Sequence, residues 1–510
     1  MLVKTFGCAI IGINAIIVTI EVNSAKGIQF FLVGLPDNAV KESYQRIIAS
    51  FSNLGYKFPK KRITVNMAPA DIRKEGAAYD LALAVGIMAV SNQVDVAKLN
   101  QYVIMGELSL DGVLNPIKGV LPMAIRAKQE GFKGIIIPRA NAKEAGVVSG
   151  IDVIGADHLT QVIDFLNGHL DIEPEHVDLE SLTKEDHYEF DFQDVKGQEN
   201  IKRALEIAAA GSHNVLLIGS PGSGKTMLAK RLPSILPPLT LAEALETTKI
   251  HSVAGLMGMG KTLLSTRPFR SPHHSISDAG LCGGGSFPQP GEISLAHNGV
   301  LFLDEVPEIQ RHTLEILRQP MEDRVITISR AKMTVQYPAN FMLVAAMNPC
   351  PCGYYNHPER ECVCKPGEVQ KYLNKISGPL MDRIDLHVEV MPVPYNELSD
   401  KRRGESSESI RQRVIKARKI QEERFRDYPG IHSNAQMTPQ LLQEYCELDR
   451  CCQETLRDAM RRLQLSARAY DRILRVSRTI ADLEGSESIR FEHLAEAITF
   501  RSLDRDNWGY

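Results

Sequence analysis

A glycine-rich stretch in the middle of this 510-residue chain restricts the fold more than any other feature. Residues 219–226 match the pattern G-x-x-x-x-G-K-[ST] in full. An apolar segment, 214–218, precedes them, and a helical segment, 227–232, follows them. In this strand–loop–helix context, backbone N–H groups and a helix N-terminus surround phosphate. The sequence therefore predicts a nucleotide site on a parallel α/β sheet, with Lys225 on the β- and γ-phosphates and Thr226 on Mg²⁺. The phosphate-binding candidates are Gly219, Ser220, Pro221, Gly222, Ser223, Gly224, Lys225 and Thr226.

A second motif supplies the carboxylates that a hydrolytic nucleotide site needs. Residues 299–305 read Gly-Val-Leu-Phe-Leu-Asp-Glu, so a buried strand delivers two acids at its end. We expect Asp304 to hold the Mg²⁺ shell and Glu305 to orient and deprotonate the attacking water. An acidic pair after a strand also occurs as a simple helix N-cap, and only its combination with the glycine-rich loop favours the catalytic interpretation.

Two further residues are of types that commonly contact the γ-phosphate in a hydrolytic nucleotide site. Asn348 ends the apolar run 341–347, a suitable place to hold the water or the γ-phosphate. Arg383 is a candidate arginine finger, which reaches the γ-phosphate bound by a neighbouring subunit. Spacing alone leaves a second interpretation of Arg383 open, a local salt bridge with Asp382 or Asp385.

Composition and periodicity divide the chain into four regions. Residues 1–170 alternate strand-like and helix-like segments, and residues 192–395 do so again. Between them, 171–191 carry nine acids and one Lys, which is typical of a solvated linker. From 396 to 510 the strand pattern disappears and helical spacing takes over, so the fold class is multidomain α/β with an all-α C-terminal region.

Charge and hydropathy limit the compartment and the partners. The net charge of −3 provides no basic tail for nucleic acid, so any such contact must be local. No run reaches the ~18 apolar residues of a membrane span, so we expect a cytoplasmic protein without membrane contact. In that reducing compartment, cysteines are thiols or metal ligands rather than disulfides.

Several stretches beyond the nucleotide motifs resemble a known family. They are residues 267–275 (Arg-Pro-Phe-Arg-Ser-Pro-His-His-Ser), 290–305, 348–353 (Asn-Pro-Cys-Pro-Cys-Gly) and 475–483. With the nucleotide motifs, they are similar to the magnesium-chelatase-like AAA+ ATPases of the ComM/YifB family over nearly the whole chain. The resemblance implies a homo-hexameric, ATP- and Mg²⁺-dependent motor that promotes branch migration when a bacterium integrates incoming DNA. Its implied partners are single-stranded and branched DNA and recombination proteins. A magnesium-chelatase motor subunit, which remodels a protein partner, is the alternative that the AAA+ core alone leaves open.

The resemblance also implies roles outside the nucleotide motifs. Arg468 is similar to the sensor-2 arginine at the start of a lid helix. Residues 251–298 resemble an insert within the second helix, and 325–338 a hairpin before the sensor asparagine; both face the pore in related helicases. Alternating strand residues predict the hairpin independently, with two cations at its tip suited to phosphate, although a solvated turn has the same pattern. The DNA-contact candidates are Arg267, Arg270, Arg330 and Lys332.

Four cysteines follow Asn348 within one short loop. Paired cysteines at the two ends of a loop are typical of structural Zn²⁺ sites, in which four thiolates bind the ion tetrahedrally. His357 lies between the pairs and is a possible substitute ligand, and four free thiols are the alternative. The candidate ligands are Cys350, Cys352, Cys362 and Cys364.

The N-terminal region resembles the proteolytic domain of Lon protease, which has a ribosomal-S5-like fold. The matching stretches are residues 106–117 and 131–138. The position of the Lon serine is occupied by Ala78, and that of the Lon lysine falls near Leu121, although Lys118 lies close by. Alanine has no nucleophile and leucine cannot activate one, so we expect a non-proteolytic domain that serves as an assembly or DNA-guiding platform.

Overall fold

The strands of this computed structural model define where the site lies. The structure describes residues 1–178, 188–258, 260–285, 288–330, 333–365, 367–398 and 403–501. In chain order the strands are β1 (Leu2–Ile11), β2 (Asn14–Ala25), β3 (Phe30–Val33), β4 (Arg62–Ala68), β5 (Tyr102–Ile104), β6 (Glu107–Leu108), β7 (Leu114–Asn115), β8 (Gly134–Pro138), β9 (Asp152–Ala156), β10 (Val215–Gly219), β11 (Phe269–Arg270), β12 (Gly283–Gly284), β13 (Gln289–Pro290), β14 (Val300–Leu303), β15 (Val325–Arg330), β16 (Met333–Pro338), β17 (Met342–Met347) and β18 (Leu386–Val390).

The α-helices alternate with these strands and then continue alone toward the C-terminus. They are α1 (Asn38–Leu54), α2 (Asp80–Val90), α3 (Val120–Gln129), α4 (Arg139–Ala145), α5 (Leu159–Asn167), α6 (Glu199–Gly211), α7 (Lys225–Arg231), α8 (Leu241–Ala254), α9 (Asp278–Cys282), α10 (Glu292–Leu295), α11 (Arg311–Glu315), α12 (Arg318–Asp323), α13 (Glu368–Leu373), α14 (Gly378–Met381), α15 (Tyr395–Leu398), α16 (Ser407–Arg424), α17 (Pro439–Tyr445), α18 (Arg450–Arg462), α19 (Ala467–Leu483) and α20 (Phe491–Thr499). Within the described residues, no helix combines the length and apolarity that crossing a bilayer requires.

The chain forms two compact units. One comprises Met1–Glu185 with Leu241–Ser265, and the other comprises Asp186–Thr240 with Thr266–Tyr510. Helix α8 therefore belongs to the first unit, although it lies between the glycine-rich loop and the acidic strand in sequence. The apolar side chains of Leu245 and Leu263 explain this, because they pack against the core of the first unit.

The first unit is built on a mixed sheet. Its described strands lie in the order β3-β4-β2-β1-β5-β8-β9. Strands β1 and β2 form an antiparallel hairpin, and β5, β8 and β9 run parallel. Apart from its first residue, Asp80, helix α2 is apolar on all sides, and every one of its residues is buried, so it forms the centre of this core. Its fully buried Asp80 is held by Arg46 Nε at 2.6 Å and by Ser43.

The second unit contains a parallel sheet that positions the nucleotide motifs. Its described strands lie in the order β11-β14-β17-β10-β18, and each neighbouring pair is parallel. The glycine-rich loop leaves the end of β10, Asp304 follows β14, and Asn348 follows β17. Because carboxyl ends of parallel strands share one edge, this topology gathers the three motifs at the place where such sheets bind ligands.

The C-terminal part of the second unit is helical. Described residues 403–501 contain α16 to α20 and no strand. The buried carboxylate of Asp482 on α19 accepts two hydrogen bonds from Arg424, at 2.6 and 2.8 Å. Arg472, also on α19, donates to Asp385 Oδ1 at 3.0 Å. These buried pairs fix α19 against both its helical neighbours and the residue before β18.

Candidate nucleotide site and cysteine cluster

The glycine-rich loop connects β10 to α7 and needs glycine at specific positions. Gly224 precedes α7 with φ of 93°, a backbone conformation that side chains with a Cβ rarely adopt. At Gly219 space is limiting instead, because an added Cβ would lie 2.3 Å from the carbonyl oxygen of Val390 on β18. The loop is therefore held tightly against the sheet, with its final residues opening into a helix N-terminus.

Lys225 joins the loop to the end of β17. Its Nζ donates to the carbonyl oxygens of Gly219 at 2.7 Å and Ser220 at 3.0 Å, and to Asn348 Oδ1 at 3.2 Å. Burial lowers the pKa of Lys225, and the carboxylates of Asp304 and Glu305 oppose that shift. The Lys225 ammonium group and the Asn348 amide are thus hydrogen-bonded to each other. They are close enough to contact the same phosphate group.

Thr226 and Asp304 form the part of the site that suits a divalent cation. Thr226 Oγ1 donates to Asp304 Oδ2 at 2.6 Å, while Asp304 Oδ1 accepts from the backbone N–H of Glu305 at 2.9 Å. Adjacent oxygen ligands of an octahedral Mg²⁺ lie about 3.0 Å apart, given Mg–O distances of about 2.1 Å. The Thr226 hydroxyl and the Asp304 carboxylate would therefore need to move apart only slightly to act as adjacent ligands of Mg²⁺.

Glu305 has an unusual backbone and a specific partner. Its φ of 50° and ψ of 43° are left-handed, a conformation that is uncommon for residues other than glycine. Its Oε2 lies 3.0 Å from Nδ1 of His274, which follows β11. His274 belongs to the 267–275 stretch, but its sequence context indicated no role for it.

Both arginines expected near the γ-phosphate have partners in the same chain. The Arg383 side chain is buried; Nη2 lies 2.6 Å from Glu322 Oε1, and Nη1 donates to the Pro379 carbonyl oxygen at 2.6 Å. Its ion pair is thus with Glu322 of α12, and not with either aspartate near it in sequence. Arg468, at the start of α19, lies 3.7 Å from Asp382 and its side chain is 57% exposed. Arg468 is therefore the more accessible cation of the two.

The cations expected to contact DNA differ in their surroundings. Arg267 donates to three backbone carbonyl oxygens, those of Pro237, Pro238 and Asn298, at 2.7 to 3.2 Å. Arg270 forms a two-pronged pair with Glu292 at 2.6 and 2.7 Å. Both guanidinium groups are thus engaged within the protein.

Arg330 ends β15 in the predicted hairpin, where β15 and β16 pair antiparallel. It is exposed, and its Nη1 donates to the carbonyl oxygen of Ser329 at 3.3 Å. Lys332 lies outside the described residues. Of the three described DNA-contact candidates, Arg330 is the one whose position favours contact with phosphate.

Gln198 is a site residue that sequence reasoning missed. It precedes α6 with φ of 58°, and its Nε2 donates to the carbonyl oxygens of Ser223 at 2.9 Å and Met391 at 3.3 Å. Gln198 therefore supports the glycine-rich loop from outside the motif. The sequence signal was weak: a Gly-Gln pair directly before a helix.

The four predicted cysteine ligands form one cluster. Cys350 Sγ lies 3.3 Å from Cys352 Sγ and 3.7 Å from Cys362 Sγ, and all four sulfurs, including that of Cys364, lie within 4.8 Å of one another. Thiolates around Zn²⁺ at about 2.3 Å are roughly 3.8 Å apart when tetrahedral. The spacing fits a Zn²⁺ ion, and none of the four cysteines forms a disulfide.

The surroundings of the cluster also favour a metal. Burial alone would raise the pKa of Cys352, but backbone N–H donors from Tyr354 and Val363 and hydrogen bonds with the Cys350 and Cys364 thiols together lower it to about 6. Such donors stabilise a thiolate, the form that binds metal. Burial raises the pKa of Cys350 to about 12, so one thiolate is favoured within the cluster. His357 instead uses Nδ1 to accept from the backbone N–H groups of Glu359 and Arg360, both at 3.1 Å. The donor set among described residues is therefore four sulfurs.

The cysteine loop also packs on the nucleotide loop. Gly353, between the cysteine pairs, has φ of 83°, and an added Cβ would lie 2.4 Å from Pro221 Cδ. The backbone of the cluster thus approaches the glycine-rich loop as closely as atoms allow. A side chain at position 353 would therefore collide with Pro221.

The two residues at the expected positions of the Lon serine and lysine contribute to the packing of the first unit. Ala78 is partly buried, and its carbonyl oxygen accepts from the backbone N–H of Gly106 at 2.7 Å. Leu121 is buried in α3. The side chain of Lys118 lies along Gly255, where an added Cβ would be 2.5 Å from its Cε. Lys118 thus has a packing role next to the end of α8.

Comparison with known families and proteins identifies the relatives of this chain. A model described as magnesium chelatase, subunit ChlI, matches residues 191–398. One described as subunit ChlI of Mg-chelatase matches 20–141, and one for the C-terminal part of subunit ChlI matches 404–501. Competence protein ComM of Haemophilus influenzae is 45% identical over 98% of this chain and 97% of that protein.

The chain belongs to the ComM/YifB family. YifB of Salmonella typhimurium is also 45% identical, over 98% of this chain and 96% of that protein. Lon protease 2 of Bacillus subtilis is 29% identical over 27% of this chain and 25% of that protein, which supports a Lon-like region in this ComM/YifB member. Family membership and the parallel sheet of the second unit together fit an AAA+ type fold.

Proposed function

We propose that this chain is an ATP-hydrolysing, hexameric DNA motor that promotes branch migration while incoming DNA is integrated by homologous recombination. The observation that carries the proposal is the convergence of Lys225, Thr226, Asp304 and Asn348 at one sheet edge. The relationship to a protein named for competence supports natural transformation as the process. Single-stranded and branched DNA are the proposed ligands, with recombination proteins as partners in the cytoplasm.

Hydrolysis would use the site in the following way. Lys225 and Asn348 would bind the γ-phosphate, and Thr226 and Asp304 would hold Mg²⁺, which would neutralise charge on the phosphates. Glu305 accepts a proton from water as the water oxygen bonds to the γ-phosphorus. The bond from that phosphorus to the β–γ bridging oxygen breaks, and the electron pair leaves with ADP.

The ring would place a second set of cations at each ATP. Arg383 acts from the neighbouring subunit as an arginine finger, and Arg468 acts as a sensor on the all-α lid formed by the C-terminal helices. In this proposal, ring assembly draws Arg383 away from Glu322 and toward the neighbour's phosphate. The Arg383 side chain is buried and Glu322 is half exposed, so this exchange requires the phosphate to replace Glu322 as the partner of a buried cation.

DNA would pass along the hairpin formed by β15 and β16. Tyr337 and its cross-strand partner Ile326 are buried near the base of the hairpin, and Arg330 lies toward its tip. Phosphate contacts of this kind position a strand without selecting its sequence. Lys332 is proposed as the second cation of the tip, with Arg267 and Arg270 organising the neighbouring segment.

The remaining features take supporting roles in this proposal. The cysteine cluster holds one structural Zn²⁺, which orders the loop after Asn348. The first unit is a non-proteolytic platform for assembly or for guiding DNA, since Ala78 provides no nucleophile.

One other function is favoured by a specific observation. The matching family models describe the ChlI subunit of magnesium chelatase, so a motor that remodels a protein partner is the second candidate. The measurement that separates the two is the steady-state ATPase rate without DNA, with single-stranded DNA and with a branched junction. The ATPase rate of a DNA motor rises when DNA is added, and it rises most with the DNA structure that the motor prefers. The ATPase rate of a protein-remodelling subunit is the same in all three conditions.

A further inference from the structure

One corner of the sheet in the first unit is rich in basic residues and lacks acids. Residues 43–70 contain five basic residues and no acid, and residues 22–36 contain Lys26 and no acid. The two segments meet, because Ala25 at the end of β2 pairs with Arg62 at the start of β4. The whole chain has a net charge of −3, so this corner concentrates positive charge that the overall composition does not reveal.

Two turns form the corner. One follows β2 through Lys26 and Gly27, and Gly27 has φ of 128°, a backbone conformation that favours glycine. An added Cβ on Gly27 would lie 3.3 Å from Arg62 Cβ, so this turn lies directly beside Arg62. The other turn precedes β4, and there the backbone N–H of Lys61 donates to the Pro59 carbonyl oxygen at 2.8 Å. Both turns therefore bring lysines next to Arg62.

Four exposed cations define this surface, which we call the basic corner: Lys26, Lys60, Lys61 and Arg62. In the described part of the chain none of them forms an ion pair. The one acid on β2, β3 and β4 is Glu21, which already pairs with Lys4 at 3.2 Å. The acidic segment lies elsewhere at Glu175, whose backbone N–H donates to the Val153 carbonyl oxygen on β9, at the opposite edge of the sheet from β3. The positive charge of the basic corner is thus not neutralised by these acids.

Apolar side chains accompany the cations. Ile28, directly after the first turn, is 84% exposed. Phe31 on β3 is 40% exposed, and the Arg62 guanidinium carbon lies 5.0 Å from the centroid of its ring. A guanidinium group over an aromatic ring keeps N–H donors available at its edge. Among the described strands β3 forms the edge of the sheet, so no described strand covers this side.

We propose that the basic corner binds the phosphate backbone of DNA, with Ile28 in contact with sugars and bases. The first unit thereby has a DNA-binding surface of its own, separate from the hairpin of the second unit. This inference rests on the proposed function, which supplies DNA as the ligand, and it names the surface of the first unit that guides the strand.

Charge complementarity identifies the partner. Neighbouring lysines and arginines without carboxylates neutralise successive phosphates and release their counterions, which is the main source of affinity that does not depend on sequence. An exposed isoleucine beside such cations suits apolar contact with a partly unstacked base step. The basic corner combines both features within two short turns.

The test measures the DNA affinity of full-length variants as a function of salt concentration. The probe is a fluorescently labelled single strand of mixed sequence, followed by anisotropy with a slowly hydrolysed ATP analogue present. The triple variant Lys26→Ala, Lys60→Ala and Lys61→Ala should reduce the slope of log K against log salt by up to about 2, because each lost phosphate contact removes about 0.7. Binding should weaken most at low salt.

Matched variants assign the effect to position and not to net charge. Lys41→Ala with Lys128→Ala and Lys143→Ala removes the same charge from three exposed lysines elsewhere in the first unit, and its slope should equal that of the wild type. Ile28→Ser should weaken binding about fivefold with an unchanged slope, because it removes an apolar contact and no cation. Val96→Ser, at a valine that is 44% exposed, should leave the affinity unchanged. Thermal unfolding of each variant identifies any loss of fold.

The outcomes separate this inference from the proposed function. A folded triple variant of the basic corner with the wild-type slope overturns the inference, even if the wild type binds DNA and the hairpin variant does not. An equal fall in the control triple variant also overturns it, because the effect then follows net charge. Wild-type affinity in Ile28→Ser overturns the contact assigned to Ile28. A wild-type protein that binds no DNA overturns the proposed function together with this inference.

Discussion

Thr226 Oγ1 and Asp304 Oδ2 lie 2.6 Å apart, although the two residues come from motifs 78 positions apart in the chain. One opens α7 at the end of the glycine-rich loop and the other follows β14. Because β17 lies between β10 and β14 in the sheet, this contact reaches across a whole strand. The proposed ATPase chemistry depends on that contact, and the following predictions address it and its surroundings.

Glu305→Gln should bind ATP nearly as the wild type does but lose hydrolysis by about 10²–10⁴-fold, the usual contribution of general-base catalysis. The amide cannot accept the proton from water, while Lys225 and Thr226 remain in place. Lys225→Ala should weaken nucleotide binding itself. Fluorescent-nucleotide titration and phosphate release measure the two effects separately. Glu308→Gln, three residues further on and half exposed, is the matched control and should retain activity. Wild-type turnover in Glu305→Gln would contradict the role assigned to Glu305.

The cysteine cluster should contain about one zinc per chain. Elemental analysis of reduced protein, purified in metal-free buffer, measures the stoichiometry. Cys350→Ser with Cys364→Ser should lose the metal and also lower ATPase, since Gly353 of the same loop packs on Pro221. Cys451→Ser changes an exposed cysteine outside the cluster and should keep the zinc. Zinc well below stoichiometry in fresh, reduced wild-type protein would favour four free thiols.

Arg330→Ala with Lys332→Ala should weaken DNA binding and flatten its dependence on salt. Each lost contact to a single-stranded phosphate reduces the slope of log K against log salt by about 0.7. Arg426→Ala, which removes a 73% exposed cation elsewhere, should leave the slope unchanged. Arg270→Ala should instead lower the unfolding temperature, because it leaves Glu292 without its two-pronged partner. An unchanged slope in the double variant would exclude the hairpin from the DNA path.

Much of this arrangement follows from local sequence patterns. Strands β10 and β17 lie within one residue of the apolar segments 214–218 and 341–347, and the hairpin at 325–338 forms with both expected strands. Each of these signals comes from neighbouring residues: a continuous apolar run, a period of two, or a glycine where the chain turns.

The features that sequence reasoning missed depend on contacts between distant residues. The 241–265 segment joins the first unit through apolar contacts with strands and helices far away in sequence. Likewise, Arg383 pairs with Glu322, 61 positions earlier, rather than with the adjacent aspartates. The Glu305–His274 contact is similar, since a His-His pair in a loop has no periodicity that indicates its partner.

Arg383→Ala should nearly abolish hydrolysis while sparing ATP binding, because an arginine finger contributes on the order of 10³-fold or more. Mixing it with Lys225→Ala protein should restore part of the activity. In such a ring, some interfaces combine an intact glycine-rich loop with an intact Arg383 of the neighbour. Glu322→Gln is the complementary variant, since it removes the ion-pair partner within the chain and should not abolish turnover. If mixed rings form but stay inactive and Arg383→Ala lowers the unfolding temperature, Arg383 has a local structural role.

The central claim, an ATP-driven DNA motor, is tested most directly by branch migration of a labelled DNA junction. Full-length protein is incubated with a four-way junction whose arms are homologous, with ATP and Mg²⁺, and the separated products are followed over time. The account predicts ATP-dependent product formation well above the spontaneous rate, and none with Glu305→Gln or Lys225→Ala. Product formation at the spontaneous rate, by wild-type protein that hydrolyses ATP in the same tube, would contradict it.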